Sequence, residues 1–144
     1  MGTITPNADQ FLAYAQSEHE GEIHMLNLLR YKKKAEGEDG TGEDAYSKYG
    51  SATVKMVEAR GGKVLWMGKP VGVFIGDIDA NQWDAIALVS YPSRQAFLDM
   101  VSTKEYKAAH EHREAGLEDT VLIACAPRGN YLAAATASVA STEG

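Results

Sequence analysis

The segment from Ile23 to Tyr31 (IHMLNLLRY) constrains the fold of this chain more than any other part of the sequence. It is apolar at both odd and even positions, and only His24, Asn27 and Arg30 interrupt it. A strand that is apolar on both faces is covered on both faces. A chain of 144 residues has the size of one domain, in which helices can cover one face of a sheet. Something else must cover the other face.

The N-terminal half predicts two helices around this strand. Thr5 and Pro6 are typical of a helix start, as N-cap and first helical residue. Helical spacing of apolar side chains predicts a longer helix from Glu43 to about Arg60. A polar loop separates this helix from the first strand.

The C-terminal half predicts further strands and helices. Ser93 is placed to cap a helix, and the sequence Ser102-x-x-Glu105 matches a capping box that starts another helical piece. Strands are predicted at residues 23–31, 63–75, 83–91 and 120–126. The interruption at residues 68–70 indicates an edge strand with a bulge in the second of these.

This order defines an α+β fold: ferredoxin-like βαββαβ with an extra N-terminal helix, in a single domain over residues 1–126. Right-handed crossovers place the four strands in an antiparallel sheet with helices on one face. Because the other face stays apolar and bare, we expect a homodimer that covers it. Residues 127–144 are rich in Ala, Ser and Thr and are expected to be a flexible or partner-packed tail.

Charge and composition argue against several classes of protein. The formal net charge of −6 disfavours nucleic-acid binding, which needs clustered basic residues. No apolar run approaches the length of a membrane span, and the N-terminus lacks a signal-peptide pattern. The lone Cys125 leaves no intrachain disulfide. We therefore expect a cytoplasmic protein without membrane contact.

Two segments partly match metal-site motifs but lack residues that those motifs require. Residues 77–81 begin like a calcium loop, but Gln82 stands where a Gly is required. His110 does not open a zincin motif, because Glu114 occupies the position of the second His. His112 is two residues from His110, so on a helix the two side chains point to different sides. We expect neither a metal nor a cofactor.

Polar residues in apolar surroundings indicate a small-molecule pocket between the sheet and the two main helices. Asn27 is the uncharged polar residue in the middle of the first strand, and Tyr49 lies on the inward stripe of the first main helix. An apolar pocket with a few convergent polar groups is the usual geometry of a ligand site. The candidate ligand-binding residues are Asn27, Tyr49, Trp66, His112 and Arg113, and the candidates for acid–base catalysis are His110 and His112.

Each candidate has a structural alternative. Asn27 and Arg113 can instead tie a helix to the sheet, Tyr49 can be a core residue with a satisfied hydroxyl, and Trp66 can lie in the core or an interface. The stripe of Tyr106, His110 and Arg113 on the last helix can be solvated or can edge the pocket. The alanines at positions 85 and 87 leave room either for a close-packed helix or for a cavity.

Five blocks of the sequence resemble a known family: MLNLLRYK (25–32), AYSKYG (45–50), GGKVLWMGKP (61–70), QWDAIALVSYPSRQAFLDMV (82–101) and EYKAAHEHREAGLEDT (105–120). This family is the "domain of unknown function 1330" group of the dimeric α/β-barrel superfamily. The resemblance implies a ferredoxin-like subunit that pairs sheet to sheet, and His112-Arg113 matches the family's helical block. It implies no reaction, because the superfamily includes cofactor-free monooxygenases, muconolactone-type isomerases and haem-dependent enzymes.

The sequence leaves two functions open. One is a small-molecule-binding protein without turnover. The other is a cofactor-independent monooxygenase or isomerase acting on a small aromatic or enolisable substrate, with a histidine in acid–base work.

Overall fold

The computed structural model describes residues 2–129, which form a four-stranded antiparallel sheet with helices on one face. The strand order is β2-β3-β1-β4, and every neighbouring pair is antiparallel. This is the predicted ferredoxin-like α+β arrangement. The strands are β1 (Ile23–Tyr31), β2 (Lys63–Gly68), β3 (Ala85–Tyr91) and β4 (Leu117–Cys125), and the helices are α1 (Ala8–Ala15), α2 (Gly42–Ala59), α3 (Arg94–Val101) and α4 (Lys104–Gly116).

The start of α1 differs from the prediction. Asn7 is the N-cap, because its side chain accepts a hydrogen bond from the backbone N–H of Gln10 at 2.8 Å. The Gln10 side chain in turn accepts from the backbone N–H of Asn7 at 3.1 Å. This reciprocal pair starts the helix beyond Thr5 and Pro6, so the predicted cap at Thr5 is wrong.

The cap of α4 also differs from the prediction. Thr103 is the N-cap, and its hydroxyl accepts from the backbone N–H of Tyr106 at 3.1 Å. Ser102 instead ends α3, where its hydroxyl donates to the carbonyl oxygen of Leu98 at 2.7 Å. The predicted capping box from Ser102 to Glu105 is therefore wrong by one residue.

The two faces of the sheet have different surroundings. The odd-numbered side chains Ile23, Met25 and Leu29 of β1 face the helices and are buried. Alternation along the strands places a second set of apolar side chains on the opposite face, which none of the helices within residues 2–129 covers. We call this surface the open face, and it comprises Leu26, Leu28, Trp66, Ile86, Leu88, Val121 and Ile123.

A bulge changes the direction of the side chains in the edge strand β2. The register shifts between Val64 and Trp66, so Val64 pairs with Val89 on the helix-facing side while Trp66 pairs with Leu88 on the open face. The sequence predicted an edge strand with a bulge at residues 68–70. The bulge in fact lies inside the strand, and it puts Trp66 48% exposed on the open face.

The connection from β2 to β3 is an exposed apolar segment, residues 69–78, which we call the arm. Its side chains Val71, Phe74 and Ile75 are 102%, 98% and 89% exposed. The predicted extension of β2 to residue 75 is therefore wrong, and β2 ends at Gly68. Beyond the arm, Arg30 holds the chain to the sheet by donating from Nε to the carbonyl oxygen of Gln82 at 3.0 Å.

None of the helices within residues 2–129 is long and apolar enough to cross a membrane. Most of the segment predicted as a tail, residues 130–144, lies outside the described part of the chain.

Candidate small-molecule site

A cavity of about 120 Å³ lies between the helix-facing side of the sheet and the helices. An apolar cavity of roughly 150 Å³ admits a benzene molecule, so this space has the size of one small ring. Most of its wall is apolar, with contributions from Met25, Met67 and Val89. The polar lining residues are Asn27, Tyr46, Tyr49, Thr53, Tyr91, Tyr106 and Arg113.

Small residues on both walls leave this space open. Ala87 lines the cavity from the middle of β3, and Gly50 lines it from the middle of α2. A Cβ built on Gly50 meets no atom within 4 Å. The sequence left open whether the alanines of this strand accommodate a helix or a cavity, and Ala87 lies at the cavity.

Asn27 presents an acceptor at the floor of the cavity. Its Nδ2 donates to the backbone carbonyl oxygens of Met25 at 3.1 Å and Ala87 at 3.3 Å. Because both neighbours are acceptors, the amide nitrogen faces them and the oxygen faces away. No donor from residues 2–129 reaches Oδ1, which stays available as an acceptor. Asn27 therefore ties two strands together and also offers an oxygen.

Tyr49 and Tyr106 form a linked pair of hydroxyls on the opposite wall. Their hydroxyl oxygens lie 2.8 Å apart, and their ring centroids 5.9 Å apart. Tyr46 packs against Tyr49 with ring centroids 5.2 Å apart. Burial raises the pKa of Tyr49 well above its ordinary value and also raises the pKa of Tyr46. The phenols of Tyr46 and Tyr49 are therefore neutral at physiological pH and can act as hydrogen-bond donors, not as bases.

Arg113 brings a positive charge to the cavity from the last turn of α4. Its Nη1 donates to the carbonyl oxygen of Ile4 and lies 3.5 Å from Nε2 of His110. Among residues 2–129, no carboxylate lies within ion-pair distance of this guanidinium.

His110 lies beside this arginine but does not line the cavity. Its Nδ1 is 2.9 Å from the carboxylate of Glu114. Burial, followed by the charge of Arg113, lowers the pKa of His110 below its ordinary value. A neutral ring with the proton on Nδ1 fits both contacts, because Nε2 can then accept from Arg113.

His112 is directed away from the cavity, contrary to its predicted place at the pocket. Its Nδ1 lies 2.9 Å from the carboxylate of Glu38, in the loop before α2, and the hydrogen bond from His112 lowers the pKa of Glu38. Consecutive residues on a helix point about 100° apart. Because Arg113 faces the cavity, its neighbour His112 faces the loop.

Of the five predicted ligand-binding residues, the structure brings Asn27, Tyr49 and Arg113 to one cavity. It does not place Trp66 there, because the bulge in β2 puts Trp66 on the open face. Sequence reasoning did not include Tyr106 among the candidates, although the stripe that Tyr106 forms with Arg113 on α4 could have identified it.

The described part of the chain shows no cluster of metal ligands. Among residues 2–129, no three His, Cys, Asp or Glu side chains are grouped closely enough to hold a metal ion.

The fold and the cavity define a ferredoxin-like α+β protein with a ring-sized space between sheet and helices. The chain belongs to the family described as "Domain of unknown function (DUF1330)", whose model matches residues 38–126. This confirms the resemblance found in the sequence. No curated protein matches the chain.

Two solved structures are similar to this chain over most of its length. RPA0582, a protein of unknown function from Rhodopseudomonas palustris, is 37% identical to this chain, and its structure superposes with a TM-score of 0.84. The match covers 90% of this chain and 100% of RPA0582. The structure of its methylated form has a TM-score of 0.83 and covers 89% of this chain and 96% of that chain.

More distant structures share the fold alone. A DABB family protein with a ferredoxin-like fold from Mesorhizobium loti is 13% identical, with a TM-score of 0.51, and covers 76% of this chain and 99% of that chain. The protein At3g17210 from Arabidopsis thaliana is 16% identical, with a TM-score of 0.55, and covers 75% of this chain and 97% of that chain.

Proposed function

We propose that this protein binds a small, mostly apolar molecule in the cavity between the sheet and the helices. The observation that carries the proposal is the convergence of three kinds of polar group on an apolar space of about 120 Å³. Asn27 offers an acceptor, the Tyr49–Tyr106 pair offers hydroxyls, and Arg113 offers a charged donor. Polar groups in apolar surroundings are unfavourable unless they find partners, and a ligand would supply them.

Binding without turnover fits this cavity better than the alternative, a cofactor-independent monooxygenase or isomerase for a small aromatic or enolisable substrate. Such an enzyme needs a group that takes a proton at neutral pH. Within the described residues, no His, Asp, Glu, Lys or Cys lines the cavity. The candidate bases His110 and His112 are each paired with a glutamate outside it.

The proposal is tested by closing the cavity. Ala87→Leu fills the space from the sheet side and should abolish binding of ring-sized probes such as phenol and benzamide. Ligand-observed NMR measures the binding of these probes. His112→Gln alters a side chain outside the cavity and should bind as the wild type does. Equal probe binding by the wild type and Ala87→Leu would refute the proposal.

The polar residues give a second test. Asn27→Ala and Arg113→Lys should both weaken probe binding. If these residues have a purely structural role, each substitution leaves a polar partner unpaired and should lower the free energy of unfolding by about 1–3 kcal/mol. Probe binding should then stay unchanged. Thermal unfolding of each variant, measured beside the NMR titration, separates the two roles.

The assembly that we propose is a homodimer in which the open faces of two copies pack together. Strands about 4.8 Å apart with a rise of about 3.3 Å per residue give a four-stranded face on the order of 400 Å². Each partner of a stable dimer hides about 800 Å². The arm, with Val71 and Phe74 fully exposed, supplies further apolar surface, so we infer that the partner covers both the face and the arm.

A charge on the open face tests this assembly. Ile123 is 47% exposed, so a lysine at this position is compatible with the folded subunit but not with an apolar interface. Light scattering should give a dimer mass for the wild type and a monomer mass for Ile123→Lys. Ser47→Lys, on the solvent side of α2, is the matched control and should remain dimeric. A monomer mass for the wild type at micromolar concentration would overturn the assembly.

A further inference from the structure

The cavity holds one formal charge among its lining residues, and this charge is positive. Arg113 is the only Arg, Lys, His, Asp or Glu among the lining residues within the described chain. A cation in apolar surroundings is unfavourable unless an anion or hydrogen-bond acceptors compensate it. The lining therefore favours a ligand of negative charge.

Two basic side chains, those of Arg30 and Lys48, are paired with carboxylates, whereas that of Arg113 has no carboxylate partner among residues 2–129. Arg30 lies 3.5 Å from the carboxylate of Asp119, and Lys48 lies 3.2 Å from that of Glu38. The carboxylate next to Arg113 on α4, that of Glu114, is bound to His110. The chain is acidic overall, with a net charge of −6, so a shortage of carboxylates does not explain the unpaired arginine.

The hydrogen bonds of Arg113 leave the remaining donors of its guanidinium available. Nη1 contacts the carbonyl oxygen of Ile4 and Nε2 of His110, which hold the group in place. Nε and Nη2 have no partner among residues 2–129. A carboxylate forms its two-pronged bond with two adjacent N–H groups of this kind.

The segment before α1 fixes the position of Ile4. The backbone N–H of Thr3 donates to the carboxylate of Asp119 at 3.0 Å, and the backbone N–H of Thr120 donates to the carbonyl oxygen of Thr3 at 2.9 Å. These contacts attach the segment to β4. The carbonyl of Ile4 is therefore a fixed acceptor that orients the guanidinium before any ligand arrives.

We propose that the ligand is a small monocarboxylate with an apolar, ring-sized body, and that Arg113 binds its carboxylate through Nε and Nη2. This inference rests on the proposed function of the cavity and specifies the class of ligand. One hydroxyl of the Tyr49–Tyr106 pair donates to the other, and the remaining O–H is a further donor for the anion. Asn27 Oδ1 accepts a hydroxyl or N–H group at another point of the ligand. The apolar wall selects the body of the molecule.

The test compares two probes of nearly equal shape, benzoate and benzamide, which differ in charge. Calorimetric titration of the wild type should give benzoate an affinity at least about tenfold above that of benzamide, the ratio expected for a charge-assisted hydrogen bond. This comparison needs no variant, so it holds even if a substituted protein fails to fold.

Two substitutions of Arg113 test whether this residue causes the preference for benzoate over benzamide. Arg113→Gln should bind benzoate no more tightly than benzamide, because the charge is lost. Arg113→Lys should keep part of the preference, because it keeps the charge but not the two-pronged geometry. Thermal unfolding confirms that each variant is folded.

The failures of the two proposals are distinguishable. If benzamide binds the wild type as tightly as benzoate, or if Arg113→Gln keeps the full preference for benzoate, the carboxylate assignment is overturned and the binding cavity stands. If neither probe binds the wild type, both the assignment and the proposed function are overturned.

Discussion

The hydroxyl oxygens of Tyr49 and Tyr106 lie 2.8 Å apart, and this hydrogen bond joins α2 to α4 across the wall of the cavity. If either hydroxyl is removed, the other is left without this partner. We expect Tyr106→Phe and Tyr49→Phe each to lower the free energy of unfolding by about 1–3 kcal/mol. The double variant should lose less than the sum of the two. Urea unfolding of the four proteins measures this, and additive losses would show that the hydroxyls are not coupled.

The close approach of α2 and α4 at Gly42 and Gly116 gives a second prediction. A Cβ added at Gly116 would lie 2.4 Å from the carbonyl oxygen of Gly42, which is backbone and cannot rotate away. We expect Gly116→Ala to destabilise the protein by at least about 2 kcal/mol through overpacking. Gly50→Ala, in open space within α2, is the matched control and should stabilise the helix by about 0.5–1 kcal/mol. Equal melting temperatures of the two variants would contradict the packing of these helices.

Stability should fall on the acid side of neutrality because of His110. Its pKa in the folded protein is lowered by burial and by Arg113, against an opposing effect of Glu114. The unfolded chain, with a pKa of about 6.5, then binds more protons than the folded chain. The stability contributed by neutral His110 is complete above pH of about 6.5 and is lost as the pH falls toward the folded-state pKa.

The variant His110→Gln isolates this effect. The difference in free energy of unfolding between wild type and variant should be constant above about pH 7. Below about pH 6.5 the wild type should lose stability relative to the variant. Urea unfolding between pH 8 and pH 5 measures it. A difference independent of pH would refute the assignment for His110.

The sequence predicted best where one strong periodicity controls a whole element. The bounds of β1 were predicted as observed, because apolar residues at both parities leave few alternatives for a segment of this length. Asn27, Tyr49 and Arg113 reach the cavity because each lies within a regular element whose inward face the periodicity defines. The cavity itself depends on the distance between α2 and the sheet, and side-chain spacing in the sequence does not specify that distance.

The errors occurred where a single residue changes the direction of its neighbours. One extra residue in β2 reverses the face of Trp66, and alternation alone cannot reveal a bulge. The caps of α1 and α4 differ from the predictions because each segment offers two residues of the capping type, Thr5 and Asn7 in one and Ser102 and Thr103 in the other. Ser102 and Thr103 are both good caps, and the preceding turn of α3 decides between them.

The arm has a consequence for handling the protein in dilute solution. Residues 71–76 (VGVFIG) carry no charge and no proline, two features of segments that associate as intermolecular β-structure. Dissociation of the proposed dimer would leave this segment and the open face without cover at the same time. Aggregation should therefore begin sooner when the protein is diluted below the dimer dissociation constant than when it is kept at higher concentration. This is the reverse of the usual case, in which aggregation is faster at higher protein concentration. A Phe74→Lys variant, which places a charge within the segment, should remain dispersed when diluted, and a dilution series followed by static light scattering compares the two proteins.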